Sequence, residues 1–109
     1  MDVAADISAI RRAFCEGTYD FTDHGASSLL KRGINERDVV AAICHDAPEV
    51  IEDYPADGRG PACLVLGWVD LARPLHVEVG YGRKSSDWVD VITVYEPDAD
   101  RWYNHRRRR

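Results

Sequence analysis

The chain has no apolar run long enough to span a bilayer, no glycine-rich phosphate loop and no Ser-His-Asp signature. These absences exclude a helical membrane protein, a P-loop nucleotide hydrolase and a triad hydrolase as first readings. The opening run Met1–Asp6 is acidic, the wrong sign for an export leader, so no leader is expected. Cysteine is scarce: Cys15, Cys44 and Cys63, an odd number at wide spacing. That pattern sets the expectation of reduced thiols in a cytoplasmic protein rather than a disulfide framework. None of the zinc spacings is present. Cys44 and His45 are neighbours on a helical stretch and point about 100° apart. No metal or cofactor is expected. There is also no linker, composition shift or internal repeat to divide the chain.

What is there is ordinary for a globular domain. The 109 residues are 45% hydrophobic and 30% charged, enough for one domain with its own core. The net charge is −5, but it is uneven, because the chain ends on Arg106, Arg107, Arg108 and Arg109. Removing those four from the 14 Lys and Arg leaves 10 against 19 acids, a balance of −9. An acidic body argues against a non-specific polyanion binder, while a basic tail argues for a local anionic contact.

The clearest pattern runs from Pro74 to Tyr81. Leu75, Val77, Val79 and Tyr81 alternate with His76 and Glu78, the period of a half-buried strand. The next run, Trp88 to Glu96, is β-branched and apolar on both faces, as an interior strand is. Gly82 to Asp87 between them is a polar hairpin loop. This arrangement puts His76 and Glu78 on the sheet face that the core does not claim.

Earlier in the chain, Val3, Ile7, Ile10 and Phe14 form one stripe of an amphipathic helix that Gly17 ends. Thr18–Thr22 is a short alternating strand. A second helix follows, capped by Thr22 or Asp23 and stopped by Gly33. A third opens at Asn35, with Asp38 three residues on and Ile34 placed to staple to Val39, and closes at Pro48. Glu49–Tyr54 and Cys63–Val69 are strands, separated by a turn-rich loop from Pro55 to Pro61, and Asp70–Arg73 is the turn into the strand at Pro74. The order α-β-α-α-β-β-β-β predicts an α+β fold: an antiparallel sheet of four to five strands with helices on one face. We divide the single domain 1–109 into a leading helix (1–16), a core (18–97) and a basic tail (98–109). The tail is a mobile end, a single-strand nucleic-acid clamp through Trp102, Tyr103 and the arginines, or a segment docked on the acidic surface of its own or another subunit.

Several stretches together resemble a known family. They are Tyr19-x-Phe21-Thr22-x-His24, Arg32-Gly33-Ile34, Val50–Pro55, Gly60-Pro61, Leu64–Gly67, Arg73–Val77 and Ile92–Asp98. The chain is similar over about Tyr19 to Trp102 to the family known as domain of unknown function 4258, placed near the RelE and BrnT ribonuclease toxins. The resemblance implies a RelE-like fold and cleavage of RNA by the ribose 2′-hydroxyl. That chemistry needs a base, an acid and cations for the phosphate. It singles out His24, Arg32, His76, Tyr95 and Glu96. His76 is the best acid or base, because imidazole titrates near neutral pH. Glu78, on the same strand face, orients it or serves as base. Arg32, Arg73, Arg83 and Lys84 are the candidates to hold substrate. Ser28 stands where members of the family carry an arginine. A toxin of this kind implies a neutralising antitoxin as partner and RNA as substrate. The alternative is a non-catalytic protein-binding or regulatory module on the same fold.

Overall fold

The computed structural model describes residues 4–45, 47–70, 72–83 and 87–109. Val3 of the first stripe, Leu71 of the Asp70–Arg73 turn, and Lys84, Ser85 and Ser86 of the hairpin loop lie outside the described residues. The chain folds as α1 (Ile7–Glu16), β1 (Tyr19–Phe21), α2 (Asp23–Arg32), α3 (Glu36–Cys44), β2 (Glu49–Tyr54), β3 (Ala62–Trp68), β4 (Pro74–Gly80), β5 (Val89–Tyr95), β6 (Trp102–Tyr103) and β7 (Arg107–Arg108).

Local chemistry sets the helix ends. The Asp6 carboxylate accepts from the Ser8 and Ala9 N–H groups at 3.0 and 3.2 Å, and Gly17 closes α1 at φ +79°. Thr22 Oγ1 accepts from the Gly25 N–H at 3.0 Å at the start of α2. At the start of α3 the Asp38 carboxylate reaches back to the Asn35 N–H at 3.4 Å.

The five main strands form one sheet in the order β1-β5-β4-β3-β2. Three pairs are antiparallel, but β1 lies parallel to β5. The expectation of an antiparallel sheet therefore holds for β2 to β5 and is corrected at the β1 edge. The helices lie on one face. Their side chains Ile10, Phe14, Val39 and Ile43 meet Val65, Val77, Val79, Val91 and Val94 in a dry core. Two glycines let backbone approach backbone: a Cβ at Gly25 would strike the Val91 carbonyl, and one at Gly67 the Ala42 carbonyl.

Two further expectations are corrected. Cys15 and Cys44 are joined in a disulfide, with Cα atoms 5.2 Å apart, and Cys63 alone is a free thiol. The reason is tertiary: α1 and α3 pack side by side, so Cys15 in the last turn of α1 meets Cys44 at the end of α3 across 29 positions of sequence. A loop of that size gives about 3–4 kcal/mol in the chain-entropy account of a cross-link. Cys63 is buried in the core, and burial pushes its thiol pKa up to about 12.

The second correction concerns the tail, which is no mobile end. After Pro97 the Asp98 carbonyl accepts from the Arg101 and Trp102 N–H groups at 2.9 and 3.0 Å. The chain then forms a small β6–β7 hairpin pairing Trp102 with Arg108 and Tyr103 with Arg107. Asn104 and His105 turn it with φ of 50° and 61°, the left-handed pair of a type I′ turn.

Candidate functional site

The register that aligns Leu66, His76 and Tyr95 puts all three on the sheet face away from the helices. This end of the face is not free. Trp102 from β6 sets its indole edge-on to the His76 ring, 4.4 Å between centroids, and Tyr95 flanks it at 5.2 Å. His76 is 0% exposed. The placement on the open face is corrected: the tail hairpin covers it.

Both nitrogens of His76 are in use. Nε2 lies 2.6 Å from the His105 carbonyl, which can only accept, so Nε2 carries the hydrogen. Nδ1 is then the acceptor for the Tyr95 hydroxyl at 3.2 Å. Burial holds the His76 pKa below the ordinary histidine value, against the opposing pull of the His105 carbonyl. Burial also pushes the Tyr95 phenol up to about 12. The result is a neutral imidazole of one tautomer between a backbone carbonyl and a phenol.

Ion pairs pin the hairpin to β2. Arg108 donates to Glu52 through two nitrogens at 2.8 and 3.0 Å and lies over the Trp102 ring at 4.6 Å. Arg106 donates to Glu49 at 2.7 Å, and the Tyr54 hydroxyl donates to Glu52. Burial alone would raise the Glu52 pKa, but the hydrogen bonds from Arg108 and Tyr54 outweigh it and hold the carboxyl below its usual value. His105 packs edge-on against Trp68 at 5.4 Å. Of the three fates open to the tail, the structure shows docking on an acidic surface of its own chain.

The other expected residues are divided among separate places. Glu78 and Tyr95 line one small cavity of about 210 Å³ with Glu52, Tyr54 and Arg108. Glu78 also lines a groove of about 460 Å³ over Ala62, Gly80 and Ile92, rimmed by Arg59 and Arg83. Arg83 is paired with Asp20 and Asp90. Arg73 is held by Glu96 at 2.6 Å and Asp38 at 3.1 Å. Arg32 lines a third cavity beside Tyr95 and Glu96. His24 is exposed in the first turn of α2, and Lys84 lies outside the described residues. His76, Tyr95 and Glu78 thus form one neighbourhood, reached by Arg32 at its border, while Arg73 and Arg83 serve ion pairs elsewhere. Among the described residues, no three His, Cys, Asp or Glu side chains come together as a metal site.

Sequence reasoning offered docking of the tail on an acidic surface as one of three fates, but it did not name Glu52 as the partner or place Trp102, His105 and Arg108 over His76. Their signal was the Trp-Tyr and Arg-Arg pairs flanking Asn104-His105. Ser28 also has a structural explanation. It is 2% exposed, donates to the Gly25 carbonyl at 2.7 Å and accepts the Val94 N–H at 3.1 Å. A long charged side chain has no room there.

A family model described as "Domain of unknown function (DUF4258)" matches residues 21–96. No curated protein and no solved structure matches. The matched stretch stops just short of the hairpin that seals His76.

Proposed function

We propose, for a chain that belongs to the family described as Domain of unknown function (DUF4258), a non-catalytic binding or regulatory role on a RelE-like fold. The observation that carries this reading is His76. The best acid or base in the chain is fully buried, neutral, and bonded at both nitrogens. A group that must touch a ribose hydroxyl or a leaving oxygen needs an open edge. Arg73, Arg83, Arg106 and Arg108 are all engaged with carboxylates of the same chain, which leaves them poor phosphate holders. The net charge of −5 adds a field that opposes RNA. Among the described residues, one surface open to a protein partner is the groove over Ala62, Gly80 and Ile92. The RelE-like part of the proposal rests on the order of elements, two helices ahead of a four-stranded antiparallel run.

One observation favours the second reading, a ribonuclease toxin with an antitoxin partner. Arg32 stands unpaired among the described residues beside Tyr95, which bonds His76. Lifting the hairpin would uncover a histidine, a phenol and a cation together. Cleavage of a mixed-sequence single-stranded RNA, with and without ribosomes, separates the readings. The proteins to compare are the native chain, His76→Ala, and a Trp102→Ala/Glu49→Gln/Glu52→Gln chain whose tail has lost both its buried ring and its ion pairs to β2 and is therefore unpinned. A binding module gives no fragments in any arm. Fragments with 2′,3′-cyclic phosphate ends from the native or unpinned chain, lost when His76 is replaced, would overturn it in favour of the toxin.

A further inference from the structure

We infer that the tail hairpin and the sheet together build a binding site for a compact phosphate-bearing anion, of the size of inorganic phosphate or a mononucleotide. The site is the cavity of about 420 Å³ between Arg32, Tyr95 and Glu96 of the core and Asp98, Arg101, Trp102 and Arg108 of the tail. Its volume falls within the roughly 300–1,000 Å³ of small-molecule sites.

The charge balance picks the ligand. Glu96 is neutralised by Arg73 at 2.6 Å, and Arg108 by Glu52 at 2.8 Å. Asp98 has one oxygen engaged by the Asp100 N–H at 2.9 Å. Among the described residues no ion pair or side-chain hydrogen bond holds Arg32 or Arg101. Two arginines without a partner among the described residues and one partly engaged carboxylate therefore line the same cavity, a cationic spot on an acidic chain. The planar N–H fork of arginine matches phosphate oxygens in paired hydrogen bonds. Tyr95 gives its hydrogen to His76 and has none for the ligand, so the guanidinium groups are the donors. Tyr95 supplies an aromatic wall, and Trp102, its ring covered by Arg108, closes the floor. The chain's net −5 works against a long polyanion and much less against a small anion that reaches one local spot. Because four of the seven lining residues come from the tail, an occupied site clamps the hairpin to the core. The site does not depend on whether the domain cuts RNA.

The test is a titration of the intact chain followed by backbone amide NMR shifts at fixed ionic strength. The probes are inorganic phosphate, adenosine 5′-monophosphate and chloride, and a short single-stranded RNA is a fourth arm. Phosphate and the mononucleotide should give saturable shifts centred on Arg32, Tyr95, Arg101 and Trp102, with chloride giving none. Arg32→Gln and Arg101→Gln, both at exposed positions, should each weaken binding about tenfold, while Arg11→Gln on α1 leaves it unchanged. Tighter binding by the mononucleotide than by phosphate assigns the Tyr95 wall to its base, and equal binding assigns recognition to the phosphate alone. The inference is overturned by no saturation at millimolar phosphate, by shifts centred elsewhere, by undiminished binding in both variants, or by RNA binding more tightly than the mononucleotide through the same residues.

Discussion

Two ends of one sheet face have opposite fates. At the end built by Leu66, His76 and Tyr95, the tail hairpin excludes water, and every polar atom of the His76 ring has a partner. At the end built by Ala62, Glu78 and Gly80, two to four residues along the same strands, the face opens into a groove of about 460 Å³. The residues that differ are few. His76 is flanked by Trp102 and reached by a carbonyl from the turn, while Glu78 meets neither. A histidine two positions from a glutamate on one strand face thus becomes a structural polar link, and the glutamate stays at the border of a cavity. Shared register does not imply shared exposure when a third segment covers part of the face.

The comparison breaks most strongly at Trp102. Trp102→Ala removes the buried ring that seals the closed end, and we expect a loss of about 3–5 kcal/mol in denaturant unfolding. Rapid hydrogen exchange over Trp102–Arg109 should accompany it if the hairpin undocks, which would make the two ends alike. Acid acts on the same end. His76 has a lowered pKa when folded, so the unfolded chain binds its proton first. Stability should be full above the unfolded histidine value of about 6.5 and fall as pH drops below it toward the folded pKa. Denaturant midpoints across that window check this, and His76→Asn should flatten the slope.

Smaller changes sharpen the contrast. Glu52→Gln removes the charge that holds Arg108 and should cost about 0.5–1 kcal/mol, since the Arg108 side chain is 62% exposed and the pair is screened. Its effect should fade in high salt. Glu78→Ala, at the open end, should change stability by no more than about 0.5 kcal/mol. A loss at Glu78 as large as at Trp102 would mean the open end is not open in solution.

Much of this fold is legible in the sequence because its signals are local. The alternation of Leu75, Val77 and Val79 with His76 and Glu78 is a short-range period, and it fixed β4 and the direction of both side chains. Gly17, Gly33 and Asn35 mark helix ends through their own backbone preferences. What was not legible depends on distant partners. Arg106 and Arg108 find Glu49 and Glu52 at separations of 57 and 56 residues, so a run of arginines read alone looks like a solvated end. The Asn104-His105 turn lacks the glycine that signals such a hairpin. Cys15 and Cys44 meet only because two helices pack together. The candidate site was therefore half visible. His76 and Glu78 are placed by the alternation of their strand and Tyr95 by the family resemblance, while most of the residues that close the site come from the tail.

The central claim is that His76 is a sealed, neutral structural link and not an acid or base. The most direct measurement is the imidazole nitrogen shifts of His76 by NMR between pH 5 and 8. The account expects a single neutral tautomer with hydrogen on Nε2, slow exchange of that hydrogen, and protonation only below the ordinary histidine range. Titration at or above about 6.5, with a fast-exchanging Nε2 hydrogen, would contradict it and return His76 to the list of working catalytic groups.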